Sequence, residues 1–206
     1  MLMLFYLLSA EELREVFDHL GYPLEPDTIR RTVAFYLDRS SHGSTLCRLV
    51  HSWVLARVDR PGSWSLFTQA LDSDLTDSQG GTTREGVHLG AMAGTVDLVL
   101  RCYSGLQTRD GMLWLNPDLP PELSRAAFEM LYRGQPVHVD ITPHRLQLRL
   151  APGTAAPIRI QIADQTITLR PGDVHNVTLP HHPVRARARS RAETTARDPT
   201  RWGDRW

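Results

Sequence analysis

Two turns rich in small and hydroxyl-bearing residues are the stretches of this chain best suited to chemistry. One covers residues 41–46 and contains Ser44 and Thr45, and the other covers residues 80–95 and contains His88. Each turn leads into a helical pattern. The free N–H groups at the start of a helix lie at the positive end of its dipole, where an anion such as phosphate binds readily. The sequence therefore predicts that Ser44 and Thr45 bind an anion. The pattern places His88 one turn inside its helix, where it would face an anion at the helix start.

Each of these residues also has a purely structural interpretation. Ser44 and Thr45 could form an ordinary helix N-cap, and His88 could be a buried histidine with its hydrogen bonds satisfied. His42 and His51 could join His88 at a metal ion. No Cys/His/Asp spacing in the chain matches a zinc pattern, so we expect no metal.

Three carboxylates just before the second turn and one within it could do acid/base work. They are Asp72, Asp74, Asp77 and Glu85. Their spacing scatters them around a helix and does not bring them together on one face, which favours a solvated helix end.

Composition excludes several classes of protein. The 206 residues carry 23 basic and 23 acidic side chains and no net charge, which argues against a nucleic-acid or membrane-surface partner. The two cysteines, Cys47 and Cys102, lie in apolar helical patterns and indicate reduced thiols in a cytoplasmic protein. The apolar N-terminus is too short to span a bilayer and resembles the interior of a helix, so we expect that the chain is a fragment.

Apolar residues at helical spacing predict five helices in residues 1–104. The first is capped by Ser9 and has Leu13, Val16, Phe17 and Leu20 on one face, and the second is capped by Asp27. The other three are predicted over Leu46–Val58, Pro61–Leu75 and Arg84–Cys102. The last is rich in glycine and alanine, which permits close helix packing.

From Gly105 the apolar period changes to two, which predicts short strands punctuated by glycine turns. Alternating, half-buried strands of this kind are typical of an antiparallel β-sandwich, here over residues 105–180. Residues 181–206 hold seven arginines against three acidic residues and few aliphatic ones, which predicts a disordered tail. The expected strands are 112–115, 128–132, 137–141, 146–150, 158–162 and 166–169.

The ordered set of motifs resembles glycoside hydrolase family 65 over Met1 to Leu179. The motifs are His42-Gly43-Ser44-Thr45-Leu46 with His51-Ser52, then Glu85-Gly86-Val87-His88, Ala93-Gly94-Thr95 and Leu113-Trp114-Leu115-Asn116-Pro117. The resemblance implies an α+β multidomain fragment. It would contain the last helices of an (α/α)6 barrel, a small antiparallel β-sandwich domain and the tail.

The resemblance also implies a reaction, the inverting phosphorolysis of trehalose, maltose or kojibiose to β-glucose 1-phosphate. Ser44, Thr45 and His88 match the positions that bind phosphate, which is a co-substrate, and no metal or organic cofactor is implied. The family's general-acid glutamate and a Lys-Gln pair lie before the region that matches this chain. Glu85 matches the Glu-Gly-X-His motif and not that acid.

Several functions remain open at this point. The chain could be the C-terminal part of a phosphorylase, inactive alone, or part of a family-65 hydrolase that uses water in place of phosphate. It could also be a non-catalytic interaction module that docks onto a separate N-terminal half, or it could pair with a second copy as a homodimer.

Overall fold

Helices occupy the first half of the chain in a computed structural model that describes residues 2–8, 10–40, 43–77, 80–81, 84 and 86–179. The predicted Ser9 cap, His42, Glu85 and the predicted tail lie outside these residues. A π-helical turn, Leu98–Tyr103, continues the sixth helix. The helices are α1 Leu2–Leu7, α2 Ala10–His19, α3 Pro26–Asp38, α4 Thr45–Leu55, α5 Arg60–Leu71 and α6 Leu89–Asp97.

Local chemistry sets where these helices begin. Pro26 occupies the first position of α3, which its fixed φ suits. The N-cap is Glu25, so the prediction that Asp27 caps this helix is wrong, and Asp27 lies in its first turn. Asp59 caps α5 through a 3.2 Å hydrogen bond that its carboxylate accepts from the Gly62 N–H.

The last predicted helix begins later than its apolar pattern suggests. Gly86 has φ +120°, which is incompatible with a right-handed helix, so α6 begins only at Leu89. His88 is therefore the residue before this helix and does not lie one turn inside it.

Several predicted apolar faces are only partly buried. Leu13 of α2 is 2% exposed, as expected, but Leu20 is 60% exposed. The predicted fourth helix ends at Leu71, earlier than Leu75, because the chain turns through a 3-10 segment, Asp72–Asp74. Leu75 is 84% exposed. Periodicity locates these helices but does not show which part of each face is covered.

Helix α4 lies at the centre of the helical part and contacts α1, α5 and α6. Its link to α5 is a buried chain of hydroxyls. Ser52 Oγ donates to the Ser63 carbonyl at 2.8 Å, and Ser63 Oγ lies 3.0 Å from the Tyr103 hydroxyl. These three residues have no exposed surface, so the bonds replace those that water would otherwise supply.

Helix α6 packs along α4 in the same direction. A Cβ on Gly90 would lie 3.6 Å from the Leu46 side chain, and a Cβ on Gly94 only 1.9 Å from the Leu49 side chain. The later residue of α6 thus contacts the later residue of α4. The two helices therefore run parallel, and their N-termini lie at the same end. Gly94 has the close-packing role predicted for small residues in this helix.

Residues 107–178 form two four-stranded sheets packed face to face around one apolar core. The sheet orders are β1-β2-β6-β7 and β3-β4-β5-β8. All pairings are antiparallel except β2 with β6, so the prediction of a wholly antiparallel sandwich is wrong at this pair. The strands are β1 Gln107–Arg109, β2 Met112–Leu115, β3 Ala126–Tyr132, β4 Gln135–Thr142, β5 Arg145–Leu150, β6 Ile158–Ile162, β7 Gln165–Leu169 and β8 Val174–Thr178.

The helical part and the sandwich are joined by a tight connection. Gly105 has φ +63°, and a Cβ there would lie 2.2 Å from the Asn116 carbonyl oxygen, so only glycine fits. Arg60 of α5 forms a 2.8 Å ion pair with Asp118 and also donates to its carbonyl.

In the described part of the chain no helix is long and apolar enough to cross a bilayer.

We predict that Gly94→Ala lowers the free energy of unfolding by about 1–3 kcal/mol, because the new methyl group overlaps the buried Leu49 side chain. Gly90→Ala is the matched control on the same helix, since its methyl group makes an ordinary contact; its stability should be unchanged or raised by up to about 1 kcal/mol. Denaturant unfolding followed by circular dichroism measures both. Adding Leu49→Ala should reduce the cost of Gly94→Ala, and equal costs in both backgrounds would contradict the assigned contact.

Candidate functional site

The structure places all three predicted anion-binding residues at the beginnings of helices. Ser44 is the N-cap of α4, and Thr45 is its first residue and is buried at 4% exposure. His88 is the N-cap of α6. Because α4 and α6 run parallel, these residues lie at one end of the helix pair.

Ser44 occupies the capping position, but its side chain makes no capping hydrogen bond. Its backbone is extended, with φ −145° and ψ 149°, and its carbonyl accepts from the N–H groups of Cys47 and Arg48 at 3.1 and 3.4 Å. Asp59, in contrast, uses its side chain to cap α5. The capping interpretation therefore accounts for the backbone of Ser44 but not for its hydroxyl.

His88 is held by Asp74, a residue for which the sequence predicts a solvated helix end. The His88 backbone N–H donates to Asp74 Oδ2 at 2.9 Å, and His88 Nδ1 lies 2.5 Å from Asp74 Oδ1. The Asp74 side chain is only 7% exposed and that of His88 is 30% exposed. The prediction of a solvated carboxylate is thus wrong for Asp74.

The hydrogen bonds from the His88 ring and backbone lower the pKa of Asp74 below its ordinary value of 3.8. They do so because they stabilise the ionised carboxylate more than they stabilise the acid. Asp74 is therefore ionised at neutral pH.

The other members of the predicted carboxylate cluster do not gather around Asp74. Asp72 is exposed, and Asp77 accepts a 2.8 Å hydrogen bond from the Gly81 N–H. No local pattern could have identified Asp74 as the partner of His88, because the contact joins residues 14 positions apart across the loop before α6.

The remaining predicted ligands do not extend the site. His51 lies buried within α4, at 6% exposure, and His42 lies outside the described residues. Within the described ranges, no three His, Cys, Asp or Glu residues are grouped in a way that could hold a metal ion. Cys47 and Cys102 are free and half-buried.

Electrostatically, the end of the helix pair suits an anion. The first N–H groups of a helix lack partners within it. Here the Leu89 N–H donates to the Val87 carbonyl at 2.9 Å, and the Cys47 N–H donates to the Ser44 carbonyl. The two dipoles present partial positive charge at the same end. A hydroxyl at Ser44 and a second ring nitrogen at His88 add polar groups. The arrangement can hold and orient an anion, but none of its residues is placed as a catalytic acid.

Two family models match the chain. The glycosyl hydrolase family 65 central catalytic domain matches residues 1–97, and the glycosyl hydrolase family 65 C-terminal domain matches residues 106–169. These matches include the three candidate residues and most of the sandwich.

Curated relatives match the same stretch. An uncharacterised glycosyl hydrolase of Mycobacterium tuberculosis is 46% identical, over 83% of this chain and 13% of the relative. The trehalose 6-phosphate phosphorylase of Lactococcus lactis is 31% identical, over 83% and 22%. The kojibiose phosphorylase of Escherichia coli is 27% identical, over 66% and 17%. The chain thus spans less than a quarter of the length of each of these relatives.

A solved structure shares the fold. It is a protein from the human microbiome described as a kojibiose phosphorylase, with a TM-score of 0.66 and 17% sequence identity. The match covers 78% of this chain and 23% of that one. Helices followed by a sandwich are thus common to both.

We predict that His88→Ala returns the pKa of Asp74 towards 3.8, because the ring contact is the largest cause of its lowering. A carboxyl with a lowered pKa in the folded state adds stability above its unfolded pKa, and this stability is lost as the pH falls through the folded pKa. The stability difference between wild type and variant should therefore shrink in acid. Carboxyl ¹³C shifts followed against pH measure the titration. Asp140 is the internal control, since Arg125 lowers its pKa independently; an unchanged Asp74 titration in the variant would contradict the assignment.

Proposed function

Because the chain belongs to glycosyl hydrolase family 65, we propose that it forms the phosphate-binding part of an α-glucoside phosphorylase. The complete enzyme would cleave a trehalose-, maltose- or kojibiose-type disaccharide by inverting phosphorolysis. The trehalose 6-phosphate, kojibiose and maltose phosphorylases among the relatives support this class of reaction. The helices would then be the last ones of an (α/α)6 barrel, completed by an N-terminal half.

The observation that carries the proposal is the parallel packing of α4 and α6, which brings two helix N-termini to one end. Ser44 with a hydroxyl not used for capping and His88 with its ring held by Asp74 lie at that end. One helix N-terminus is found in every helical protein. Two at the same end, together with a hydroxyl and a histidine, would give an inorganic phosphate more ligands than a cap requires.

In the proposed reaction a phosphate oxygen attacks the anomeric carbon of the glucosyl unit while a glutamic acid protonates the departing oxygen. The product is β-glucose 1-phosphate. Ser44, Thr45 and His88 would fix the phosphate and turn one oxygen towards that carbon, which lowers the entropic part of the barrier. Phosphate is a co-substrate here, and the proposal includes no metal or organic cofactor.

We predict that the chain binds inorganic phosphate and that Ser44→Ala weakens this binding about tenfold, since one hydrogen bond to a charged group is lost. Helix stability should change little, because the hydroxyl makes no capping bond. Amide chemical shifts of Thr45 and Leu89, followed during a phosphate titration, measure the binding.

Ser65→Ala is the matched control, because Ser65 is an exposed serine on α5. Its phosphate binding should equal that of the wild type. Absence of saturable phosphate binding by the wild-type chain would overturn the proposal. An equal loss of binding in both variants would contradict the role of Ser44.

The chain alone should not cleave the disaccharide, because the family resemblance assigns the general acid to a segment before the residues that match this chain. Incubation with trehalose, maltose or kojibiose and phosphate should release no glucose 1-phosphate. Release of that product by the isolated chain would show that the acid lies among its own residues.

A further inference from the structure

We propose that Asp74 is a positioning residue that holds His88 with its proton on Nδ1 and so presents Nε2 to the phosphate. The proposal rests on the proposed function, in which His88 is a phosphate ligand. It adds a residue that the family motif does not contain, since Asp74 precedes the loop in which that motif begins.

One carboxylate holds His88 at two points. Asp74 Oδ2 accepts the backbone N–H at 2.9 Å, and Oδ1 lies 2.5 Å from Nδ1 of the ring. The first bond fixes where the residue stands at the start of α6, and the second fixes the rotation of its ring. Because the Asp74 side chain is only 7% exposed, it has little freedom to move with the ring.

The contact also determines which ring nitrogen carries the proton. An ionised carboxylate can only accept hydrogen bonds, so Nδ1 must be the donor. Nε2 is then the ring nitrogen that is not engaged by Asp74. In the neutral ring it accepts a hydrogen bond from a P–OH group, and in the imidazolium it donates to a phosphate oxygen.

Proton transfer from phosphate to this ring is balanced. The O–H bond of dihydrogen phosphate breaks, an N–H bond forms at Nε2, and the products are the hydrogen phosphate dianion and an imidazolium. Asp74 would stabilise that imidazolium, as a carboxylate behind a catalytic histidine does in hydrolases. The phosphate would become more nucleophilic where it is held.

A second role for Asp74 would be purely structural, as a cap for the loop before α6. The two roles predict opposite effects on phosphate binding. If Asp74 acted only through its negative charge or the fold, Asp74→Asn would remove a repulsive charge and leave phosphate binding unchanged or stronger. If Asp74 positions the ring, the same change weakens binding even though it removes a negative charge.

The first measurement is the tautomer of His88 in the ¹⁵N-labelled full chain, without phosphate. Long-range ¹H–¹⁵N correlations of the neutral ring should show Nδ1 protonated and Nε2 unprotonated. Asp74→Asn should give a mixture of tautomers, because an amide can donate to Nδ1 as well as accept from it. Asp72→Asn, an exposed carboxylate in the same turn, is the control and should keep the wild-type pattern. A wild-type ring protonated on Nε2, or an unchanged pattern in Asp74→Asn, would overturn the proposal.

The second measurement is a titration with inorganic phosphate. Asp74→Asn should bind about tenfold more weakly than the wild type, and Asp72→Asn should bind equally well. Binding that is unchanged or tighter in Asp74→Asn would reject the positioning role. If the wild-type chain binds no phosphate at all, the proposed function fails, and the tautomer spectrum still decides whether Asp74 sets the ring. Should Asp74→Asn fail to fold, Asp74→Glu is the second variant. It keeps the carboxylate but displaces it, so it should weaken phosphate binding. In that case the spectrum of the wild-type chain decides which ring nitrogen of His88 carries the proton.

Discussion

The close approach of α6 to α4 is the constraint on which the candidate site depends. Gly94 permits it, because any larger residue would overlap the Leu49 side chain. When two helices pack this closely, the side chains of one must fit between those of the other. The packing therefore fixes both the distance between the two helices and the position of one along the other. The site is thus set by a contact within the core that lies more than one helical turn from the residues that would bind the ligand. Ser44 and His88 share an end only because this contact fixes how far one helix can slide along the other.

The buried chain of hydroxyls supports the same arrangement. Ser52, Ser63 and Tyr103 are fully buried, so their hydrogen bonds are directional constraints among otherwise apolar contacts. Tyr103 ends the π-helical turn that continues α6, and its carbonyl accepts from the N–H of Asp118, which lies between β2 and β3 of the sandwich. Through these bonds α4, α5 and the end of the α6 segment are fixed to one another. The ion pair of Arg60 with Asp118 then attaches the sandwich to the same helices.

Much of this fold follows from local pattern, and the exceptions have physical causes. The strands at 112–115 and 158–162 have the predicted bounds, because alternation of apolar residues reports burial on one face. That these two strands pair in parallel is not encoded locally, since residues far apart in sequence decide which edges meet. Strand β8 was not predicted, because its exposed Val174 weakens the alternation. The candidate residues Ser44, Thr45 and His88 came from motifs, whereas Asp74 required the fold, which alone brings the end of α5 to the start of α6.

The surroundings of the candidate site bear on how strongly it can hold an anion. Leu46, Val87 and Leu89 lie beside the two helix N-termini and are 50%, 60% and 73% exposed. Water that reaches this end competes for the N–H groups and screens the helix dipoles, so attraction for an anion is modest there. Any segment that covers these three side chains removes that water and strengthens every charged interaction beneath it. The same apolar cover would therefore stabilise the protein and, if the proposed function holds, raise its affinity for phosphate.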